Sequence, residues 1–290
     1  MNKQAILIIA HNYSNLEILN KQLDVLDSEC FDIFIHIDRK SKMRIEDIKK
    51  CENSKMHIYK KFRTYWGHSS QVYCELFLIR KALETEEKYD YLHLISGEDF
   101  PLKKPEKIHA YFNKHYGKEF VHFQCLKLTE KKVYWNKYYR FIRNHNDASW
   151  SRRIDIKLLH LQMRLKIDRT KRRDIKLYTG ANWFSITDKF AEFAISKSEL
   201  MKKLRFTAHP DEIYMQTILY NSEFKNNLYY QGFDDNYDSC KRLIDWKRGK
   251  PYIWKMEDLK EIEESNFFFA RKFDINTDRK IIDYLNKKLK

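Results

Sequence analysis

The sequence predicts an α/β protein, and three observations carry that expectation. Short continuous runs of Ile, Leu and Phe at Ala5–Ala10 (AILIIA), Phe31–Ile37 (FDIFIHI) and Tyr91–Ser96 (YLHLIS) have the character of strands buried on both faces. Segments whose apolar residues recur near the 3.6-residue period lie between them. Each strand-like run ends in a polar loop, and loops at the carboxyl ends of strands are where open α/β sheets bind ligands.

Taken in order, Ala5–Ala10 is a strand that leaves into His11-Asn12-Tyr13-Ser14. Ser14 or Asn15 is placed to cap a helix carrying Leu16, Ile18, Leu19, Leu23 and Leu26. Phe31–Ile37 is the second strand and runs into Asp38, either a turn residue or a ligand contact. Met56–Lys60 reads as a third strand, and Ser69 as the cap of a helix bearing Val72, Leu76, Ile79, Ala82 and Leu83. After Tyr91–Ser96 and the turn Gly97-Glu98-Asp99, residues 104–116 read as a helix and Glu119–Gln124 as a strand.

Residues 176–186 (KLYTGANWFSI) read as a strand pair around Gly180, and Asp188 as the cap of the next helix. Pro210 suits the first turn of a helix, with Asp211 and Glu212 in that turn, where the macrodipole favours acids. Ile213, Met215, Ile218 and Leu219 give that helix a buried face, so Glu212 sits at the mouth of an anchored element. Leu228–Gln231 and Arg242–Trp246 read as short strands around an acidic loop, and Met256–Glu264 and Arg279–Leu289 as helices. Between those helices, strand alternation over Phe267–Asp274 would put Arg271 and Lys272 on opposite faces, one of them toward the core unless the backbone bends.

Composition narrows the classes. With only six Gly and four Pro and no biased run, the chain shows no linker or repeat, and residues 1–290 read as one domain. Five scattered cysteines form no CxxC pair, which speaks against a zinc site or a disulfide framework and for a reducing cytoplasm. The early apolar run is far too short to span a bilayer and lacks signal-peptide flanks. Neither GxGxxG nor GxxxxGK[ST] occurs, so a bound nucleotide is held by other means.

The net charge of +15 is concentrated: residues 131–173 hold 14 Lys or Arg against three acids, interleaved with Tyr and Trp. Such a segment is either a solvated helical face or a surface for polyanions, whether nucleic acid, anionic lipid head groups or an acidic glycan.

Seven motifs in order, HIDRKS (36–41), YWGHSS (65–70), YLHLISGEDFPLK (91–103), TGANWFSIT (179–187), HPDEIYMQTILYNS (209–222), RLIDW (242–246) and FFARKFD (268–274), resemble the core-2/I-branching β-1,6-N-acetylglucosaminyltransferase and peptide O-xylosyltransferase family. The resemblance spans residues 5 to 275. It implies a glycosyltransferase A type fold, a Rossmann-like mixed sheet flanked by helices, and an inverting transfer from a UDP-sugar, GlcNAc or xylose before others, to a hydroxyl of a glycan or glycolipid acceptor.

By the same resemblance Glu212 is the general base, and Arg271 and Lys272 neutralise the departing diphosphate without a metal. No two aspartates in the chain are two residues apart and no Glu-x-Asp occurs, so the usual metal-holding motif is missing from the sequence. Asp38, His11 and Asn12 are matched to the nucleoside side of the donor, Trp66 and Gly67 to the same pocket, Ser96, Gly97 and Asp99 to the sugar or acceptor side, and Trp183 to the acceptor boundary. No cofactor beyond the UDP-sugar co-substrate is implied.

Animal members carry a membrane anchor and luminal disulfides that this chain lacks, so a bacterial-type cytoplasmic enzyme of surface polysaccharide synthesis is the expectation, with residues 131–173 either docking on the anionic inner membrane face or gripping a lipid diphosphate acceptor. A nucleic-acid binding protein and an idle glycan-binding relative are the alternatives. The first does not account for the carboxylates and the Arg-Lys pair at matched places, and intact Glu212, Arg271 and Lys272 speak against the second.

Overall fold

In the computed structural model residues 2–141, 150–172 and 175–290 are described. A six-stranded sheet, ordered β3-β2-β1-β4-β7-β6, is built from β1 (Lys3–Ala10), β2 (Phe31–Ile37), β3 (Met56–Tyr59), β4 (Tyr89–Ser96), β6 (Phe120–Val121) and β7 (Phe184–Thr187). The first four run parallel, and β7 is antiparallel to both β4 and β6. The continuous hydrophobicity of β1 follows from this position: Leu7 and Ile9 point into one core, Ile6 and Ile8 into the other.

One face is covered by α2 (Ser70–Leu83), α6 (Asp188–Ser196) and α8 (Tyr214–Tyr220), through Val72, Ile79, Phe190, Ala194, Met215 and Leu219. The other is covered by α1 (Leu16–Leu26) and α3 (Pro105–Lys114), through Leu19, Leu23, Ile108 and Phe112. A second, three-stranded sheet, ordered β5-β9-β8, is made of β5 (Asp99–Pro101), β8 (Arg242–Ile244) and β9 (Phe269–Arg271). It packs with α9 (Leu259–Glu264) and α10 (Arg279–Leu289) around buried Phe100, Trp254 and Phe273. Since β5 follows β4 after two residues, the second sheet hangs from the carboxyl end of the first.

Arg242 joins the two sheets. Its guanidinium is fully buried, donates to the carbonyls of Leu94, Phe184 and Cys240 and to Ser185 Oγ, and lies 4.6 Å over the Phe269 ring. Burial pulls its pKa down to about 10. No carboxylate is among these hydrogen-bond partners, so its proton is retained by carbonyl dipoles.

Several expectations are corrected. The strand pair over 176–186 is reduced to β7, because Gly180 is pressed against the 122–123 backbone: a Cβ there would meet the His122 carbonyl oxygen at 1.8 Å. Glu119–Gln124 pairs only at Phe120 and Val121, and of Leu228–Gln231 only Leu228 bridges, to Glu119. Thr187, not Asp188, caps α6, its hydroxyl accepting from Phe190 N. Ser69 and Asn15 precede their helices without a side-chain cap, and Asn15 Nδ2 instead donates to Glu98.

Pro210 opens a single 3-10 turn, Pro210–Glu212, and the α-helix begins only at Tyr214. The basic stretch holds the end of α4 (Leu126–Trp135) and all of α5 (Trp150–Arg164); its residues 142–149 and 173 lie outside the described residues. A short α7 (Leu200–Leu204) precedes the Glu212 turn.

Candidate active site

The carboxyl ends of β1 and β2 lie side by side, and their first loop residues share a hydrogen-bonded chain. Thr64 Oγ1 donates to Asp38 Oδ2 at 2.7 Å, which leaves its lone pair for His11 Nδ1 at 3.1 Å. Asp38 Oδ1 also accepts from Lys40 N at 2.8 Å, so the turn reading and the site reading of this residue coexist. Burial opposes the Asp38 charge, but the contacts with His11, Lys40 N and Thr64 outweigh it and hold the carboxyl far below its ordinary value. Asn12 is exposed beside this group.

At the end of β4 the turn Ser96-Gly97-Glu98-Asp99 meets β9. Asp99 is buried and accepts from Ser96 N at 2.7 Å, from Ser96 Oγ at 3.0 Å and from Arg271 Nη1 at 2.7 Å. Glu98 accepts from Lys272 at 3.3 Å, Arg271 Nη2 at 3.4 Å and Asn15 Nδ2 at 2.9 Å. Burial would raise the Glu98 pKa, yet the Arg271 and Lys272 charges win and lower it.

The two cations are therefore not on opposite faces: both reach Glu98, and neither enters an apolar core. Trp183 lies over the Arg271 guanidinium at 4.6 Å, a cation–π stack that fixes its plane. Gly97 packs against Ala10, with its amide bonded to Ile9 O.

Glu212 forms the third part. Its side chain is one-third exposed and ion-paired with Lys132 of α4. Its carbonyl accepts from Gly180 N at 2.9 Å and its amide donates to His209 O at 3.2 Å, so the backbone is fixed on both sides. His209, at φ 50°, donates its own amide to Gly67 O, and its ring lies against Gly67, which has no room there for a Cβ. Trp66 crosses the His209 ring edge-on at 4.5 Å, with half of its own surface open. The segment from Gly180 to Trp183 thus touches Glu212 at one end and Arg271 at the other.

Behind Glu212 sit acids that reach no solvent. Burial, and then the Glu212 charge, push the Asp211 carboxyl up to about 7. Burial, and then Asp211, push Glu75 well above its ordinary value. Beyond Lys132 lies a further pair, His122 Nε2 3.2 Å from Asp235 Oδ1. Ala181 N donates to His122 Nδ1, which places the proton of a neutral ring on Nε2, toward Asp235.

Four contributors were not singled out in the sequence. Glu98 stood inside a quoted motif but carried no signal apart from it. Thr64, Lys132 and Asp235 had none, since one hydroxyl, one Lys among fourteen cations and one acid of an acidic loop look like their neighbours until the chain folds. Among the described residues no cluster of three or more His, Cys, Asp or Glu side chains could hold a metal ion, and no helix is long and apolar enough to cross a membrane.

Comparison with known proteins gives a consistent placement. Xylosyltransferase sqv-6 of Caenorhabditis elegans is 26% identical over 271 residues, covering 84% of this chain and 31% of the relative. A xylosyltransferase of Ciona intestinalis is 24% identical (88% of this chain, 30% of the relative) and xylosyltransferase 2 of Rattus norvegicus 22% (97% and 33%). The chain spans about a third of the length of these relatives. A profile of the Core-2/I-Branching enzyme family matches residues 5–267, on a mixed α/β fold of glycosyltransferase A type. The chain belongs to the Core-2/I-Branching enzyme family.

Proposed function

We propose that the protein is an inverting glycosyltransferase that moves a sugar from a UDP-sugar to a hydroxyl of a glycan or glycolipid without a divalent metal. One observation carries the reading: Arg271 and Lys272 converge on a single carboxylate, Glu98, at the carboxyl end of β4, with the Arg271 plane fixed by Trp183. Two cations already gathered on one anion are preorganised for another. A diphosphate entering there exchanges with Glu98 for the same donors, at little cost in side-chain ordering.

In this reading Asp38, held ionised and oriented by Thr64 and Lys40 N, receives hydroxyl donors of the nucleoside, with His11 and Asn12 beside it. Ser96 and Asp99 are bound up with Arg271 and with each other, so they position the cation; the Gly97 amide ties the turn to β1 through Ile9 O. Glu212, open to solvent over a third of its surface, takes the proton of the acceptor hydroxyl. As that oxygen bonds to the anomeric carbon on one face, the bond to the β-phosphate oxygen breaks on the other, and its electron pair leaves on UDP beside Arg271 and Lys272. Lys132 releases Glu212 when the acceptor arrives. Trp66 and Trp183 supply aromatic faces on either side.

The relatives' names make xylose the first donor to try and GlcNAc the second. The test is UDP release from UDP-xylose, UDP-GlcNAc, UDP-glucose and UDP-galactose, each in EDTA. Turnover that persists in the chelator supports the proposal; turnover that vanishes there and returns with added Mn²⁺ overturns the metal-free part, and inertness with every donor overturns the whole.

A further inference from the structure

Helix α5 is turned inside out. Among its described side chains the two buried ones are polar: Asp155, which pairs with Arg140 at 2.6 Å, and Gln162, which bonds Tyr139 N at 2.7 Å and Tyr139 O at 3.0 Å. The large apolar side chains face water instead. Trp150 is 73% exposed, Leu161 50% and Leu165, one residue past the helix end, 64%, with Ile154 at 39%; Ile156 and Met163 are exposed on the other flank.

At 3.6 residues per turn the first four fall on one stripe within an arc of about 60°. Arg153, Lys157 and Arg164, all exposed, line one edge of it. The single acid of the helix, Asp155, is the one turned inward. A polar pair anchoring the helix from inside, with aliphatic and cationic side chains outside, is the reverse of an ordinary surface helix.

We propose that this outward face of α5 docks on the surface of an anionic phospholipid bilayer, with the helix lying in the interface plane. Charge complementarity selects the occupant: the face carries cations and no exposed acid, so it is attracted to an anionic surface and repelled by a second copy of itself. The aliphatic stripe selects lipid over nucleic acid, because Ile and Leu side chains bury in acyl chains but offer no platform for stacking bases. Trp150 at the start of the stripe suits the head-group boundary. The reading does not depend on the proposed transfer reaction. Arg140 and Tyr139, which hold α5, follow closely on α4, the helix that carries Lys132.

The test is sedimentation of the full chain with vesicles of phosphatidylglycerol and phosphatidylcholine, against vesicles of phosphatidylcholine alone. Two variants are compared with the natural sequence: Ile154→Ser/Leu161→Ser/Leu165→Ser and Arg153→Glu/Lys157→Glu/Arg164→Glu. Binding to the anionic vesicles only, weakened by high salt and lowered more than about tenfold in each variant, is the expected result. Circular dichroism and the melting temperature stay unchanged in both, because the substituted side chains face solvent. Absence of vesicle binding, binding that the serine variant retains in full, or a dimer that the serine variant dissolves overturns the proposal. UDP release in solution from any donor that the natural sequence turns over is expected to be equal in all three proteins, so failure here and failure of the transferase reading are read separately.

Discussion

Lys132 and Glu212, 80 residues apart in sequence, form an ion pair with both side chains about one-third exposed (33% and 32%). The pair ties α4 to the Pro210–Glu212 turn and gives the Glu212 carboxylate a fixed partner. At that exposure it adds at most about 1 kcal/mol to stability. Its weight falls on function.

Glu212→Gln keeps the shape and removes the carboxylate proposed as the general base. It is expected to lower the turnover number by roughly a hundredfold to ten-thousandfold while UDP affinity, measured by calorimetry, stays within about twofold. Lys132→Ala is expected to move the melting temperature by no more than about 3 °C. Normal turnover by the Glu212→Gln variant removes Glu212 from the mechanism.

Lys272→Ala tests the proposed diphosphate site cleanly, because the Lys272 side chain contacts Glu98, whereas Arg271 also holds buried Asp99. The variant is expected to lose about two to three orders of magnitude in kcat, the scale of one lost electrostatic donor. Added Mn²⁺ is not expected to restore it. Arg271→Ala is expected to lose activity and also stability, by about 1–3 kcal/mol, since Asp99 then stays buried without its cation. Urea denaturation separates the two outcomes.

Asp211 gives the fold a pH signature. Its carboxyl ordinarily titrates at 3.8 and sits near 7 in the folded protein, driven there by burial and then by Glu212. The folded state therefore holds a proton that the unfolded chain has lost, and this contribution, fully present below pH 4, is lost as pH rises toward 7. Glu119, buried and likewise raised to about 7, acts in the same direction. Asp211→Asn is expected to flatten the fall in unfolding free energy between pH 5 and 8 by about 1–3 kcal/mol. An unchanged slope in urea titrations at those pH values argues against a buried, protonated Asp211.

Arg242→Met is expected to destabilise the protein by about 3 kcal/mol or more, because it leaves the carbonyls of Leu94, Phe184 and Cys240 short of a buried donor. The chemical denaturation midpoint reports it.

Gly180→Ala places a methyl carbon on the His122 carbonyl, so the 180–183 segment must shift, and with it the Glu212 carbonyl and Trp183. Lower stability together with lower kcat is the expected pair of effects. A variant that folds and turns over normally contradicts the close approach described here.

Periodicity alone was enough for much of the frame. β2 spans the expected Phe31–Ile37, α10 the expected Arg279–Leu289, and the face of α8 carries Met215, Ile218 and Leu219 inward, because a short continuous apolar run reports a strand buried on both faces and a 3.6-residue repeat a helix buried on one. It failed where backbone partners come from far along the chain. KLYTGANWFSI has strand-like composition, yet only its last residues find strand neighbours; Gly180 and Ala181 instead bond Glu212 O and His122 Nδ1.

The order of strands and helices, the acid turn after β4 and the adjacent cations at the end of β9 were thus written in the chain by local pattern and spacing. Tertiary structure alone decided that Arg271 and Lys272 share Glu98, that Lys132 out of fourteen cations reaches Glu212, and that α5 presents its apolar side outward. The physical reason is range. Repeat period is a property of neighbours in sequence, while an ion pair, a stacked guanidinium or a helix's orientation depends on which distant surface arrives within a few ångströms.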